Sequence, residues 1–432
     1  MSVIATARPA SVLDQPVPAV PPELAPEPSA YALVHGVQQG QWWRTVLRKV
    51  SYLLPDEGVL QRTAQAPIST AHAPHAPLPD WLGAQAGRSG SMKAVPEPRA
   101  FQLGTDVVVR AHAASEKPVC EMLAGLVIGR HAHKLRVFGE RRSEWRRGQV
   151  DFTEPAPFER VPLRYELAYG GFDPVALRAA LAAVEHRIGD ALEWRRSRAF
   201  LQDTFPKTVP VAYARNPVGM GYVADALPEA LHDVALPRIE LDHDLLTPER
   251  FAQGRGMEWL ARPVPAGLDF MDPRMFPRTA LLGLPPLGFA VGSSDCAEVQ
   301  WGQLPSDFSR GNVMTVDEAD VLGVVHPEAA RCAPIGLRLP MLRGDEPLNL
   351  VGLRADRPRW DVRLPGERPL FDVQGQGALP GRLFQVFVDV EARRVELLWA
   401  ASWQADRALH PAEDRELLRT VGTRVERVEG SA

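Results

Sequence analysis

The amino-acid sequence predicts an α+β protein that is predominantly antiparallel β, with sandwich- or barrel-like sheets, one inserted amphipathic helix and long loops. Proline makes up 41 of the 432 residues, well above the average of about 5%, which favours short strands and structured loops over long helices. Several segments alternate apolar and polar residues with a period of two, the pattern of half-buried strands. Only one segment shows a helical period.

Composition and length indicate how the chain is divided. Residues 1–30 are rich in proline, alanine and glutamate without periodicity, which predicts a flexible lead-in that carries no core. A length of 432 residues suggests two or three domains at roughly 150 residues each. We expect an N-terminal β-rich domain at 31–225, with a helical insertion near 174–200, and a C-terminal loop- and β-rich domain at 226–432.

The first strands are expected as a hairpin. In "WWRTVLRKVSYLLPDEGVLQRTAQAPI" the residues Pro55 to Gly58 have turn composition and separate two runs that can pair.

Short runs rich in valine and leucine follow in "TDVVVRAHA", "KPVCEMLAGLVIG" and "HKLRVFGERR", and Gly129-Arg130 is the expected turn between the last two. Residues 105–171 are therefore expected to form an antiparallel sheet of at least four strands.

The segment "FERVPLRYELAYGG", residues 158–171, has the clearest strand period. Its apolar parity is expected to face the core, while Arg160, Arg164 and Glu166 share the polar parity. The final two glycines permit positive φ angles, so a turn is expected where the strand ends.

The helical segment is "PVALRAALAAVEHRIGDALEWRRSRAF". Its apolar positions step by four, three, four and four, which places them on one face of a helix, and Pro174 suits the first turn. This predicts an amphipathic helix that packs against the body of the protein.

After "ARNPVGMGY" the chain is punctuated by proline and glycine, and mostly loops are expected. Strands are expected again in "PLNLVGLRA", "RWDVRLPG" and "RLFQVFVDVEARRVELLWAAS". The last segment alternates on both sides of a turn at Glu391 to Arg394, so it predicts a terminal hairpin.

Charge and hydropathy argue against several classes of partner. The formal net charge is only -4 with both signs interspersed, which favours neither nucleic acid nor an anionic membrane. No apolar run approaches the roughly 20 residues that span a bilayer, and the N-terminus lacks a signal-peptide pattern, so a cytoplasmic location is expected. The three cysteines are odd in number and far apart, which predicts buried thiols rather than disulfides or a metal site.

A search for catalytic motifs finds no P-loop, nucleophile elbow, zinc-protease helix or calcium loop. His131 and His133 would share a strand face, but no third metal ligand lies nearby in sequence. We therefore predict no catalytic, cofactor-binding or metal-binding residue and no enzymatic activity. The alternative is a hydrolase-type enzyme that uses loop carboxylates such as Asp242 and Asp244, which flank His243.

Nine segments, in order between residues 104 and 402, together resemble a bacterial family labelled domain of unknown function 2169, which occurs in type VI secretion clusters. They are "GTDVVVRAHA", "KLRVFGERR", "PFERVPLRYELAYGG", "RNPVGMGY", "LPRIE", "LPSDF", "LRGDEPLNLVGL", "VRLPGERPLF" and "VFVDVEARRVELLWAAS". The loop at 290–310 departs from the family pattern, and the 174–200 helix looks like an insertion between two of the segments.

The resemblance implies a function in protein transport rather than catalysis. It implies an adaptor or chaperone that binds a toxic effector in the cytoplasm and helps load it onto the VgrG spike, in some cases through a PAAR tip protein. The expected partners are therefore an effector and VgrG or PAAR, with no cofactor. The candidate partner-binding residues are Arg164, Glu166, Arg215 and Asn216; the alternative is that they form solvated ion pairs or serve the fold.

Overall fold

The computed structural model describes thirteen stretches of the chain. These are residues 30–38, 41–70, 73–75, 91–95, 97–98, 102, 104–171, 216, 219–223, 231–253, 262–271, 333–406 and 411–428. Strands in mixed and antiparallel sheets dominate these stretches, which confirms the predicted β-rich α+β class. Residues 1–29 of the expected lead-in at 1–30, the expected helix at 174–200 and the 290–310 loop lie outside the described residues.

The larger of two main sheets has seven strands. In spatial order they are β1 (Tyr31–Gln38), β2 (Gln41–Leu53), β24 (Arg394–Ala405), β23 (Arg382–Asp389), β7 (Gly104–Arg110) and β18 (Arg338–Pro340), with β4 (Gln61–Arg62) also paired to β2. Strands β7 and β23 run parallel, and the other neighbours in this sheet are antiparallel. We call it the first sheet.

The second sheet has six strands. In spatial order they are β16 (Ile239–Leu241), β10 (His131–Phe138), β9 (Glu121–Ile128), β19 (Pro347–Val351), β20 (Arg359–Arg363) and β3 (Gly58–Val59). Only β20 and β3 run parallel among these strands. Both main sheets take strands from before and after residue 225, so a domain boundary there would cut through both.

Five smaller sheets complete the described strands. They are β11 (Ser143–Arg146) with β12 (Gln149–Phe152), β8 (His112–Val119) with β13 (Phe158–Pro162), β14 (Tyr169–Gly170) with β15 (Met220–Gly221), β6 (Ser91–Ala94) between β17 (Phe270–Met271) and β5 (Ala73–Pro74), and β21 (Glu367–Val373) between β22 (Gly377–Pro380) and β25 (Gly422–Arg427). Among them, β14 and β15 are parallel.

The described residues contain two short α-helices, α1 (Pro248–Ala252) and α2 (Pro411–Thr420). Helix α1 lies where the sequence predicted loops, and its start is fixed by Thr247, whose side chain accepts a hydrogen bond from the backbone N–H of Arg250. Neither helix has the length and apolar character that a membrane crossing requires.

One hydrophobic core joins the inner faces of the two main sheets. Val107, Val388 and Leu397 of the first sheet belong to the same buried cluster as Leu126 and Leu350 of the second. The alternating residues of each strand supply this core, as the period of two predicted. The arrangement is therefore sandwich-like. A smaller buried cluster around Leu246 and Phe251 includes Val150 of strand β12.

Two predicted hairpins are confirmed. Strands β9 and β10 are joined at Gly129-Arg130, where Gly129 has a φ of 54°, and β23 and β24 pair along the predicted terminal hairpin. The first predicted hairpin is confirmed only in part. Its return run splits, since β4 pairs with β2 while β3 pairs with β20 in the second sheet.

Three expectations about residues 105–171 and the cysteines are wrong. These residues do not form one sheet, because β7 joins the first sheet, β9 and β10 join the second, and β8 pairs with β13. The strand predicted over 158–171 ends at Pro162, and a 3-10 turn follows because the N–H of Tyr165 donates to Ser91 Oγ at 2.7 Å instead of to a neighbouring strand. Cys120, expected to be buried, is exposed.

Candidate functional site

The segments "YELAYGG" and "RNPVGMGY" meet around the side chain of Asn216. This side chain is fully buried, and its Nδ2 donates hydrogen bonds to the carbonyls of Tyr165 at 2.7 Å and Tyr169 at 3.1 Å. The carbonyl of Asn216 accepts from the N–H of Gly171 at 2.7 Å, next to the parallel pairing of β14 and β15. We call this arrangement the Asn216 joint.

Glycine is needed at the joint because the two segments approach so closely. Gly170 has a φ of 148° and Gly171 a φ of 94°, both in the range that favours glycine. A Cβ on Gly170 would lie 2.1 Å from the carbonyl oxygen of Asn216. The Tyr-Gly-Gly ending of the segment therefore serves this close backbone contact.

The structure places the four predicted partner-binding residues differently from one another. Asn216 is in the interior, and Arg215 lies outside the described residues. Glu166 is half-buried: its Oε1 accepts a hydrogen bond from the N–H of Ser91 at 3.3 Å, and its Oε2 is buried without a hydrogen-bond partner. Arg164 is half-buried at the start of the 3-10 turn. In this fold Glu166 and Asn216 serve the same turn by binding backbone groups.

A charged cluster lies on the surface near Arg164. Glu391 pairs with His112 at 2.9 Å and with Arg160 at 2.7 Å, which joins β8, β13 and the β23–β24 turn. Burial lowers the pKa of His112. Burial opposes ionisation of Glu391, but hydrogen bonds from Arg160 and His112 hold its pKa below the ordinary value. Arg160, on the polar parity of the 158–171 segment, is thus held in an ion pair with the β23–β24 turn.

The loop carboxylates that would serve an enzyme are both held in ion pairs. Asp242 pairs with Arg136 at 2.8 Å. Asp244 pairs with Arg250 at 3.0 Å and accepts a hydrogen bond from the N–H of Val264 at 2.9 Å. These contacts fix the loop between β16 and α1 against its neighbours.

His133 is buried and neutral. Burial lowers its pKa to about 4, against the opposing effect of a hydrogen bond to the backbone of Gly267 and with a smaller lowering from His243. Its Nε2 is buried without a hydrogen-bond partner. Among the described residues no group of three or more His, Cys, Asp or Glu side chains could hold a metal ion. The hypothesis that His131 and His133 bind a metal therefore has no third ligand among these residues.

The outer face of the second sheet is exposed where strands β10, β9, β19 and β20 lie side by side. In β9, alternate residues such as Leu126 point into the core, while Leu123 and Val127 point outward. Leu123 is 42% exposed, one of two large apolar side chains so exposed in the described part of the chain. We call this surface the open face and define it by six residues, Leu123, Val127, Lys134, Val351, Arg359 and Asp361.

Strand register sets the order of side chains across the open face. One row runs from Lys134 through Gly125 and Val351 to Arg359, each paired directly with the next. A glycine and a valine therefore occupy the middle of the row, and a cation stands at each end.

Most charges on and beside the open face already have partners. Arg359 pairs with Asp361 at 3.0 Å, and Arg136 pairs with Glu121 at 3.3 Å as well as with Asp242. Within the described stretches, no carboxylate lies within ion-pair distance of Lys134. Lys134 is therefore an exposed cation without a carboxylate partner of its own among the described residues, while Arg136, two residues away on the same strand face, has two.

This face was not predicted from the sequence. The run "EMLAGLVI" of β9 is apolar at both parities, which is typical of a strand buried on both sides. An available signal was that the flanking strands "HKLRVF" and "RWDVR" are charged at every second position, which indicates that one face of this sheet meets water.

A comparison with family models gives one match. The model described as "Uncharacterized protein conserved in bacteria (DUF2169)" matches residues 39–400. The chain belongs to this family. The matched span includes the Asn216 joint and the open face. Searches of the curated proteins and of the solved structures each found no match.

Proposed function

We propose that this DUF2169 protein is an adaptor of the type VI secretion system. It binds a toxic effector in the cytoplasm and helps load it onto the VgrG spike, either directly or through a PAAR tip protein. In this proposal the chain acts by protein–protein contact and has no catalytic role. Its membership of the family and the segments that it shares with that family support the proposal.

The open face is the observation that carries the proposal. Along a strand with one face in water, the residues that alternate with the core residues are normally polar. Here the outward residues Leu123, Val127 and Val351 form the middle of the exposed face. Leu123 is 42% exposed, and Val127 and Val351 on the same face are half-buried, so the face offers an apolar middle framed by charged side chains, a combination found at contact sites between proteins. Such a surface suits a partner that is bound and later released.

The proposal is tested by purifying the tagged chain from its native cytoplasm and identifying the proteins that accompany it. We expect the wild-type chain to recover a toxin-like protein together with VgrG, and the Leu123→Asp variant to lose them. Leu53→Asp is the matched control, because Leu53 is equally exposed, at 45%, but lies in the first sheet. Recovery of neither protein by the wild-type chain, from cells that make the secretion system, would contradict the proposed function.

A further inference from the structure

We propose that the open face binds an amphipathic helix of the effector whose apolar stripe carries carboxylates on both flanks. The identification of the partner as the effector rests on the proposed function; the chemistry of the bound segment rests on the open face alone.

The geometry of the face selects a helix. Backbone groups of β9 and β19 are hydrogen-bonded to strands on both sides, so a partner strand has no free edge to pair with here. A partner must instead place side chains on the face. Strands β10 and β20 are three strand spacings apart, about 14 Å, which accommodates a helix of 10–12 Å diameter along β9 and β19.

The charges select the flanks of that helix. Lys134 and Arg359 stand at opposite ends of one row, on the two strands that border this space. Both side chains are exposed, Arg359 at 71%. Lys134 has no carboxylate partner among the described residues, and Arg359 is paired only with its neighbour Asp361. A helix with carboxylates on both sides of its apolar stripe would meet a cation on each flank.

A second copy of the chain is a poorer occupant. Two open faces stacked on each other would bury a few hundred Å² per partner, whereas stable interfaces bury about 800 Å² on each side.

The test uses the full-length chain and two synthetic peptides with the same helical pattern of leucines. One peptide carries glutamate on both flanks of the leucine stripe, and the other carries lysine at the same positions. Binding is measured by fluorescence anisotropy at low salt. We expect the glutamate peptide to bind the wild-type chain at least about tenfold more tightly than the lysine peptide, since exposed charge pairs act most strongly on association at low ionic strength.

Charge reversal locates the binding to the open face. The Lys134→Glu/Arg359→Glu variant should bind the glutamate peptide about tenfold more weakly and the lysine peptide more tightly. Arg415→Glu/Arg419→Glu is the matched control, because it makes the same change of net charge at exposed positions of α2; its peptide affinities should stay within twofold of wild type. Circular dichroism confirms that both variants are folded.

Three outcomes would overturn the inference: no binding of either peptide, equal binding of both, or an equal loss in the two charge-reversal variants. None of these measurements involves an effector or VgrG. Failure of the peptide test with successful co-purification would therefore reject the helix and its acidic flanks while leaving the adaptor function standing, and the reverse result would reject the adaptor function alone.

Discussion

The burial of His133 predicts how the stability of the fold depends on pH. An ordinary histidine has a pKa of 6.5, and burial lowers that of His133 to about 4. Between these values the unfolded chain binds a proton that the folded chain does not, so the free energy of unfolding falls as the pH falls. The stability that the fold gains by keeping this histidine neutral is fully present above pH 6.5 and is lost as the pH drops towards 4. With about 1.4 kcal/mol per pKa unit, the full loss is about 3 kcal/mol.

The test compares the wild-type chain with His133→Leu by urea denaturation at pH 7.5 and pH 5. The variant loses the hydrogen bond to the backbone of Gly267 at both pH values, but it has no proton to gain at this position. The difference in unfolding free energy between the wild-type chain and the variant should therefore be about 2 kcal/mol more favourable to the variant at pH 5 than at pH 7.5. Other titrating groups cancel in this difference.

Leu135→Ala provides the control, because Leu135 is buried on the same strand and does not titrate. Its difference from wild type should be the same at both pH values. If the His133→Leu difference is equally constant, the reasoning about the buried neutral histidine is refuted.

Two further predictions concern buried polar groups. Asn216→Asp should lower the free energy of unfolding by about 2–4 kcal/mol, because a carboxylate cannot donate to the carbonyls that Asn216 now binds. A free energy of unfolding within about 0.5 kcal/mol of wild type, which is the usual scatter of urea denaturation, would contradict the Asn216 joint. Lys49 is buried between Glu97 at 2.6 Å and Glu396 at 3.0 Å, so Lys49→Met should cost about 3–5 kcal/mol. Adding Glu97→Gln should recover part of that loss in thermal unfolding, and no recovery would show that charge isolation is not its cause.

Local pattern predicted the elements that depend on neighbouring residues. The β9–β10 hairpin follows from two apolar runs around Gly129-Arg130, and the β23–β24 hairpin follows from alternation on both sides of a short turn. Pairings between distant segments have no such local signal. The parallel pairing of β7 with β23, and the division of β3 and β4 between two sheets, follow from how the core is assembled.

The role of Glu166 and Asn216 in partner binding stays a prediction, and their geometry had no local signal. The sequence singled out Glu166 and Asn216, and the structure brings their segments together, but period and composition cannot show that Asn216 points inward to bind carbonyl groups. The open face was missed because β9 is apolar on both parities. Which of its two faces is buried depends on the sheet packed against it.

The most direct test of the central claim is purification of the tagged wild-type chain from bacteria that are making the type VI secretion system, followed by mass spectrometry. Our account predicts that a toxin-like effector and the VgrG spike, with or without a PAAR protein, are recovered together with the chain. Recovery of neither from those cells would contradict the adaptor function.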